Sequence, residues 1–367
     1  MEVYPLQSIT IEEAIEKQFH IVDCITRSFE GKQFLTNGDL GITPEYNKPE
    51  TTARAERVIA DIFHAEAALL VRGAGSGAIR FGLHSLVSAG DTVLIHKAPV
   101  YPTTEVSLKM LGIKTIEADY NNPEEIRETM ESNSHIKAAL IQYTRQKPDD
   151  SYDMKQIIRL MKQIREIPIL TDDNYAVFKV PEIGTEIGAD LACFSAFKLL
   201  GPEGIGVIAG KKQFIEYLEK ESYSGGMQIQ GQEAMEVLRG FTYAPVSLAI
   251  QAQTGDACIK RLKAGEIPEV KDAFLANAQS RVVLVEFYEN IAEDVLCEAE
   301  KLGAAPYPVG AESKYEIVPM FYRISGTFRS YDSSLEQRMI RINPMRAGAD
   351  TVINILKQAI ERVVKCS

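Results

Sequence analysis

Lys198 stands in the stretch "DLACFSAFKLLGPEGIGVIAG" (residues 190–210), between one apolar run and a glycine-broken turn that leads into another. Asp190–Ser195 and Gly204–Ala209 each have the nearly continuous apolar character of a strand buried on both faces, which puts the lysine at the edge of a buried sheet. An amine held there is partly desolvated. Desolvation lowers its pKa and frees the lone pair for attack on a carbonyl, the requirement for a lysine that forms a Schiff base. The competing assignment is a solvated lysine at a strand end, which is what most lysines are.

A second segment, "ALLVRGAGSGAIRFGL" (residues 68–83), reads as a strand, a glycine cluster and a helix start. That arrangement gathers backbone N–H groups and a helix dipole around an anion. Gly73-x-Gly75-x-x-Ala78 also fits a dinucleotide fingerprint, with Asp91 as the ribose-binding acid. Asp91, however, lies where a helix ends and a strand starts, and His96 occupies the end of the second strand, where that acid belongs. A phosphate site without a dinucleotide fits better; a glycine-rich turn with no ligand is the plain alternative.

A monophosphate cofactor joined to a lysine needs an aldehyde for the amine, anchors for the phosphate, a planar partner for its ring and a carboxylate at a ring nitrogen. In "IPILTDDNYAVFKV" (residues 167–180) an apolar strand ends in Asp172-Asp173-Asn174, at the carboxyl end where open α/β sheets bind ligands. Strand alternation sends only one of the two acids toward the ligand, and Asp173 is the choice. Beside a protonated pyridine such a carboxylate keeps the ring an electron sink. "HKAPVYPTTEV" (residues 96–106) offers Tyr101, with His96 as runner-up, to stack on the ring.

The elements that must position these groups follow from periodicity. Apolar runs at 67–71, 92–96, 138–142, 167–171, 190–195 and 205–210 alternate with segments of helical spacing, the pattern of an α/β fold with a mostly parallel sheet covered by helices on both faces. The last two runs, joined only by the Lys198 turn, read as antiparallel neighbours. Residues 1–52 form a helix and a polar arm, 53–250 a large domain, and 251–367 a linker helix and a small C-terminal α+β domain. "SRVVLVEFYENIA" (residues 280–292) reads as a long helix within that last part.

A net charge of −11 argues against a nucleic-acid or anionic-membrane surface, so any anion is held by local groups. The five cysteines, Cys24, Cys193, Cys258, Cys297 and Cys366, are scattered without a CxxC pair, which supports neither a disulfide framework nor a metal site. With no signal-peptide pattern and no apolar run approaching 18 residues, the expected location is the cytoplasm.

In order along the chain, the glycine loop, the aromatic, Asp-Asn, Ser-x-x-Lys and a later Gly-Gly loop resemble the fold-type I pyridoxal-5′-phosphate (PLP) enzymes. Parts are similar to class V aminotransferases, others to the cystathionine lyase, threonine aldolase and selenocysteine synthase groups. The resemblance spans about residues 45–245. It implies a seven-stranded, mostly parallel sheet plus a small domain, working as a homodimer or a dimer of dimers. It implies N–H donors to phosphate from Gly75, Ser76 and Gly77, ring stacking by Tyr101, pairing of Asp173 with the pyridine nitrogen, a phosphate bond from Ser195 and a covalent link at Lys198. "SGGMQIQG" (residues 224–231) resembles a loop that reaches a neighbouring subunit's cofactor through Gly226 and Gln228, with Tyr46 and Asn47 of the arm as further contributors. Among Arg323, Arg329, Arg338 and Arg341, the resemblance favours Arg341 for the substrate carboxylate.

The activity so implied is that of a PLP-dependent enzyme acting on a small amino acid, as an aminotransferase first and as a carbon–sulfur or carbon–carbon lyase second. A PLP-binding regulator without turnover ranks below both, because no basic helix-turn-helix segment precedes the core.

Overall fold

The computed structural model describes residues 3–222, 226–276, 281–310 and 312–366. The chain folds as two compact units, one of Glu12–Thr144 with Ser151–Pro245, the other of the stretch up to Ile11, Arg145–Asp150 and the chain from Val246 onward. Among the described residues no helix is long and apolar enough to cross a membrane.

The larger unit opens with α1 (Ile11–Ser28), the single-turn α2 (Gly31–Phe34) and α3 (Glu50–Ile62). α1 buries Ala14, Ile21, Cys24 and Ile25 along one stripe, and its acids Glu12 and Glu13 and its base Arg27 sit at the ends that the helix dipole favours. Strands and helices then alternate: β1 (Ala67–Arg72), α4 (Ala74–Leu86), β2 (Thr92–His96), α5 (Pro102–Met110), β3 (Lys114–Ala118), α6 (Pro123–Ser132), β4 (Ile136–Gln142), α7 (Met154–Ile164) and β5 (Ile169–Asp172). β6 (Leu191–Ser195), β7 (Ile205–Gly210), α8 (Lys212–Glu221) and the first part of α9 (Gly231–Lys263) complete it.

The seven strands lie in the order β1-β7-β6-β5-β4-β2-β3. β3, β2, β4, β5 and β6 are parallel, while β7 runs antiparallel to β6 and β1. The reversal follows from chain length: the turn 196–204 is too short for the crossover helix that a parallel return needs. β3 is the strand that periodicity passes over. Lys114, Thr115 and Glu117 are exposed on this edge strand, so it carries no apolar run. At the opposite edge, the outward N–H of Leu70 donates to Glu56 Oε1 at 2.9 Å, and Lys48 Nζ meets Glu56 Oε2 at 2.6 Å.

The two faces of the sheet are distinct. Val93, Ile95, Leu140, Leu170, Cys193 and Ile208 pack on the side of α4 and α8. Leu94, Ala139, Ile141 and Ile169 pack on the other side, with Ile126, Met130, Ile158 and Met161 of α6 and α7.

The smaller unit contains β8 (Val270–Leu275), β9 (Val283–Phe287), α10 (Ala292–Lys301), β10 (Met320–Arg323), α11 (Gly326–Tyr331), α12 (Leu335–Arg338), β11 (Met339–Asn343) and α13 (Ala349–Cys366). Its sheet is antiparallel in the order β10-β11-β9-β8. Here the structure corrects one expectation: the "VVLVEF" stretch is strand β9, not a helix. Val283, Val285 and Phe287 enter the core under α10 and α13, while Val282 and Leu284 enter a second cluster on the reverse face. A strand apolar on both faces loses its alternation and looks aperiodic, and the β-branched valines favour the extended form.

Candidate active site

The geometry of the site is set by which way side chains leave β5 and β6. A Cβ placed on Gly82 of α4 would stand 2.5 Å from Leu170 and 2.9 Å from Cys193, so both side chains face α4. Two residues further on, Asp172 and Ser195 face the same helix. Thr171 and Asp173 point the other way. Thr171 Oγ1 donates to Asp173 Oδ2 at 2.6 Å, and the Gly184 N–H donates to Asp173 Oδ1 at 3.2 Å. Alternation does separate the two acids, but the one on the α4 side is Asp172, in place of the expected Asp173.

Asn174 joins the parts. Asp172 Oδ1 accepts from the Asn174 N–H at 3.1 Å and from Asn174 Nδ2 at 2.8 Å. Asn174 Oδ1 in turn accepts from the Ser195 N–H at 3.1 Å and from Lys198 Nζ at 3.4 Å. Lys198 is half-buried on the single 3₁₀ turn Phe197–Leu199 that follows β6. The start of α4 completes this cluster, since a Cβ on Gly75 would stand 2.5 Å from Asn174 Oδ1. Only glycine lets the helix come that close. The sequence offers Asn174 as half of an Asp-Asn pair, yet its part as the link between acid, serine and lysine is visible only in the fold.

α4 begins at Gly73, which has φ 96° and provides no side-chain cap. Of its first-turn donors the Ala74 N–H is spent on Gly204 O at 3.0 Å, and the next two are left for a ligand. Gly75 and Ser76 are placed to donate in this way. Gly77 is not, because its N–H is spent on Gly73 O at 2.8 Å. Its glycine serves packing instead: a Cβ there would stand 2.1 Å from Arg72 O. Ser76 Oγ donates to Thr103 Oγ1 at 2.9 Å, tying the start of α4 to that of α5, where Tyr101 is the N-cap residue. Tyr101 is half-buried near Asp172, and burial together with that carboxylate raises its phenol above the ordinary range.

His96, the runner-up for ring stacking, lies elsewhere. It shares the strand face of Leu94, its ring stands 5.1 Å from those of Tyr120 and Tyr152, and its Nδ1 accepts the Tyr120 N–H at 3.0 Å. Gly226 is exposed in a turn, and Gln228 is buried with its Nε2 donating to Asn47 O. Ser224 and Gly225 of the same loop lie outside the described residues. Gln228, Tyr46 and Asn47 line a cavity of about 430 Å³ beside β1, a cavity whose walls include neither Lys198 nor Asp172. In the smaller unit, Arg338 engages Glu286 and Asp332, and Arg323 and Arg329 engage Glu336. Arg341 instead lies 4.1 Å over the Tyr322 ring and donates from Nε to Arg323 O at 2.6 Å.

Residues 46–248 match the aminotransferase class-V family, and residues 256–356 match the YhfS-like C-terminal domain. Over 363 residues the chain is 51% identical to the protein YhfS of Escherichia coli, covering 99% of this chain and 100% of that one. The chain belongs to the aminotransferase class-V family. It is thereby a fold-type I PLP-dependent enzyme. The crystal structure of the pyridoxal-5′-phosphate dependent protein YhfS from Escherichia coli matches it with a TM-score of 0.97, at 51% identity and over 99% of this chain and 100% of that one. A carbon-sulfur lyase involved in aluminum resistance from Clostridium novyi NT shares the fold, with a TM-score of 0.71 at 19% identity over 96% of this chain and 91% of that chain. A stretch of 74 residues, 20% of this chain and 18% of the other, is 32% identical to a cysteine desulfurase of Wigglesworthia glossinidia brevipalpis.

The α4 face of this class-V chain fits the family's cofactor. It presents open N–H groups for a dianion, an amine for an aldehyde and a buried acid for a ring nitrogen, with an aromatic at the lip. Burial raises the Asp172 carboxyl, while the Asn174 amide and the Lys198 charge pull it back. Burial pushes Asp173 up to about 7, against the hydrogen bonds from Thr171 and Gly184, and the neighbouring Asp172 adds to the rise.

A stability prediction follows from Asp173. A carboxyl that titrates near 7 when folded, against 3.8 as its ordinary value, contributes stability that is complete at acid pH and is lost as pH rises through about 7. Asp173→Asn keeps an acceptor toward the Gly184 N–H and turns an amide N–H toward the Thr171 hydroxyl, which can accept it while donating to Leu191 O, and it removes the charge. The variant is expected to gain on the wild type by at most about 4 kcal/mol between about pH 4 and pH 8 in denaturant unfolding. A difference independent of pH would mean that Asp173 does not titrate in that window.

Proposed function

We propose that this enzyme acts on the α-amino group of a small amino acid, first as an aminotransferase. Lys198 carries the cofactor and moves the Cα proton, and Asp172 pairs with the ring nitrogen. The N–H groups of Gly75 and Ser76 and the hydroxyl of Ser195 hold the phosphate, Tyr101 covers the ring, and Arg341 takes the substrate carboxylate. The observation that carries this reading is the continuous Asp172–Asn174–Lys198 hydrogen-bond chain on the sheet face where α4 begins.

When bound, PLP supplies an electron sink that makes the bonds to a substrate's Cα acidic. The chain supplies the rest. Lys198 is the base and then the acid for the Cα proton, and Asn174 holds its amine in line with the acid that sustains the sink. Asp172, costly as a buried charge, becomes favourable opposite a protonated ring nitrogen.

A lyase that breaks a carbon–sulfur or carbon–carbon bond is the second reading, supported by the segment shared with a cysteine desulfurase. Incubating the holoenzyme with a panel of amino acids, with and without keto acids, separates the two. A new amino acid that forms only when a keto acid is present supports transfer. Pyruvate with ammonia or sulfide, or an aldehyde, in its absence supports cleavage. No product under either condition overturns both.

The same reading includes a homodimer. Leu35, Leu40 and Ile42 on the arm are 86%, 69% and 47% exposed, a cost that a second copy relieves. Gln228, Tyr46 and Asn47 then serve the neighbouring copy's cofactor. Leu40→Glu is expected to shift the protein toward the monomer mass in light scattering, and an unchanged mass would remove the arm from the interface.

A further inference from the structure

We propose that the ring face of Tyr175 is the resting platform of the Lys198 amine whenever that amine is not covalently engaged. The inference rests on the cofactor reading above. Lys198 Nζ stands 3.7 Å from the centroid of the Tyr175 ring and 3.4 Å from Asn174 Oδ1. The negative face of an aromatic ring attracts an ammonium and gives a neutral amine much less, and a carbonyl oxygen likewise binds a charged donor more strongly than a neutral one. Both contacts therefore favour the form of Lys198 that carries the extra proton.

The backbone is bent to make this contact. Tyr175 has φ 67° and Phe178 φ 60°, both in the left-handed region that bulky residues seldom occupy. Such strain persists only where the surroundings enforce it. They do so here: the N–H groups of Ala176 and Val177 donate to Asp173 O, and the Phe178 ring stacks on Phe63 at 5.4 Å. The turn holds its shape from beneath and presents the Tyr175 ring to the lysine above. Charged groups around this point include Asp172 at the end of β5, which attracts Lys198, and Lys179, whose Nζ is 5.8 Å from the same ring. Tyr101, on α5, faces Asp172.

Tyr175 is thus a positioning residue: it holds the released amine beside Asn174 in the proton-carrying state, within reach of the position it must return to. The test uses the full-length chain freed of cofactor. Lys198 is labelled with acetic anhydride near neutral pH, and its acetylation is measured against other lysines by peptide mass spectrometry. Only the neutral amine reacts, so a weaker platform means faster labelling. Tyr175→Phe keeps the ring face and is expected to stay within about twofold of wild type. Trifluorophenylalanine at position 175, which keeps the shape but empties the ring face of negative charge, is expected to raise labelling about threefold, and Tyr175→Leu about fivefold. Equal labelling of the phenylalanine and trifluorophenylalanine proteins overturns the proposal, and so does a Phe variant that behaves like Leu, since the hydroxyl would then be responsible. If the leucine variant does not fold, the pair of equal shape still decides. Borohydride fixation of PLP on wild-type Lys198 is measured separately. Its failure sinks the cofactor reading and leaves the labelling result standing by itself.

Discussion

Lys198→Ala is expected to remain folded and to lose both its covalent hold on pyridoxal phosphate and its turnover. The side chain is half-buried on a 3₁₀ turn, its amine engages Asn174 and the Tyr175 ring, and it belongs to none of the apolar clusters of the sheet. Truncation therefore removes chemistry and little packing. Far-UV circular dichroism and the unfolding midpoint should stay close to wild type. Borohydride treatment followed by peptide mass spectrometry should find the cofactor adduct on the wild-type peptide and nowhere in the variant. Loss of a positioned acid–base group alone costs up to about 10⁴-fold in rate, and loss of the covalent anchor adds to it. An adduct that survives at another lysine, or turnover within tenfold of wild type, would remove Lys198 from its place in the mechanism.

The second large effect separates the two neighbouring acids. Asp172→Asn is expected to lower kcat by about 10²–10³-fold, the usual scale for deleting one preorganised electrostatic partner of a reacting group. Asp173→Asn should stay within about tenfold, because its carboxyl is turned to Thr171 and Gly184 on the far side of the sheet. Both substitutions keep the side chain's size, and the unfolding midpoint of each variant separates a loss of fold from a loss of chemistry. The reverse ranking would put the ring-nitrogen partner at Asp173 and break the role given to the Asn174 link.

This contrast also shows how far the residues can be read without the fold. Strand ends at 92–96 and 205–210, the antiparallel pair around Lys198 and the helix start at the glycine loop are all written locally, in apolar runs and turn residues. The phase of β5 is not. Both acids follow an apolar strand, and what turns Asp172 toward α4 is the contact of Leu170 and Cys193 with the bare backbone of Gly82, more than eighty residues away in sequence. β3 was silent because an edge strand with Lys114 and Glu117 outward has no apolar signature. β9 was misleading because cores on both of its faces erase alternation. Asn174 is written only as the second half of an Asp-Asn pair and Tyr175 carries no motif at all; their importance comes from an amide spanning two strands and a backbone turned against its preference.

The two margins of the large sheet limit how copies of this protein can meet. At β1 the Glu56 carboxylate already occupies the outward Leu70 N–H, with Lys48 locking it in place, and at β3 a lysine and a glutamate stand on the rim. Neither margin offers a ladder for a foreign strand to climb. Fibre-like growth by strand pairing at these margins is thereby disfavoured.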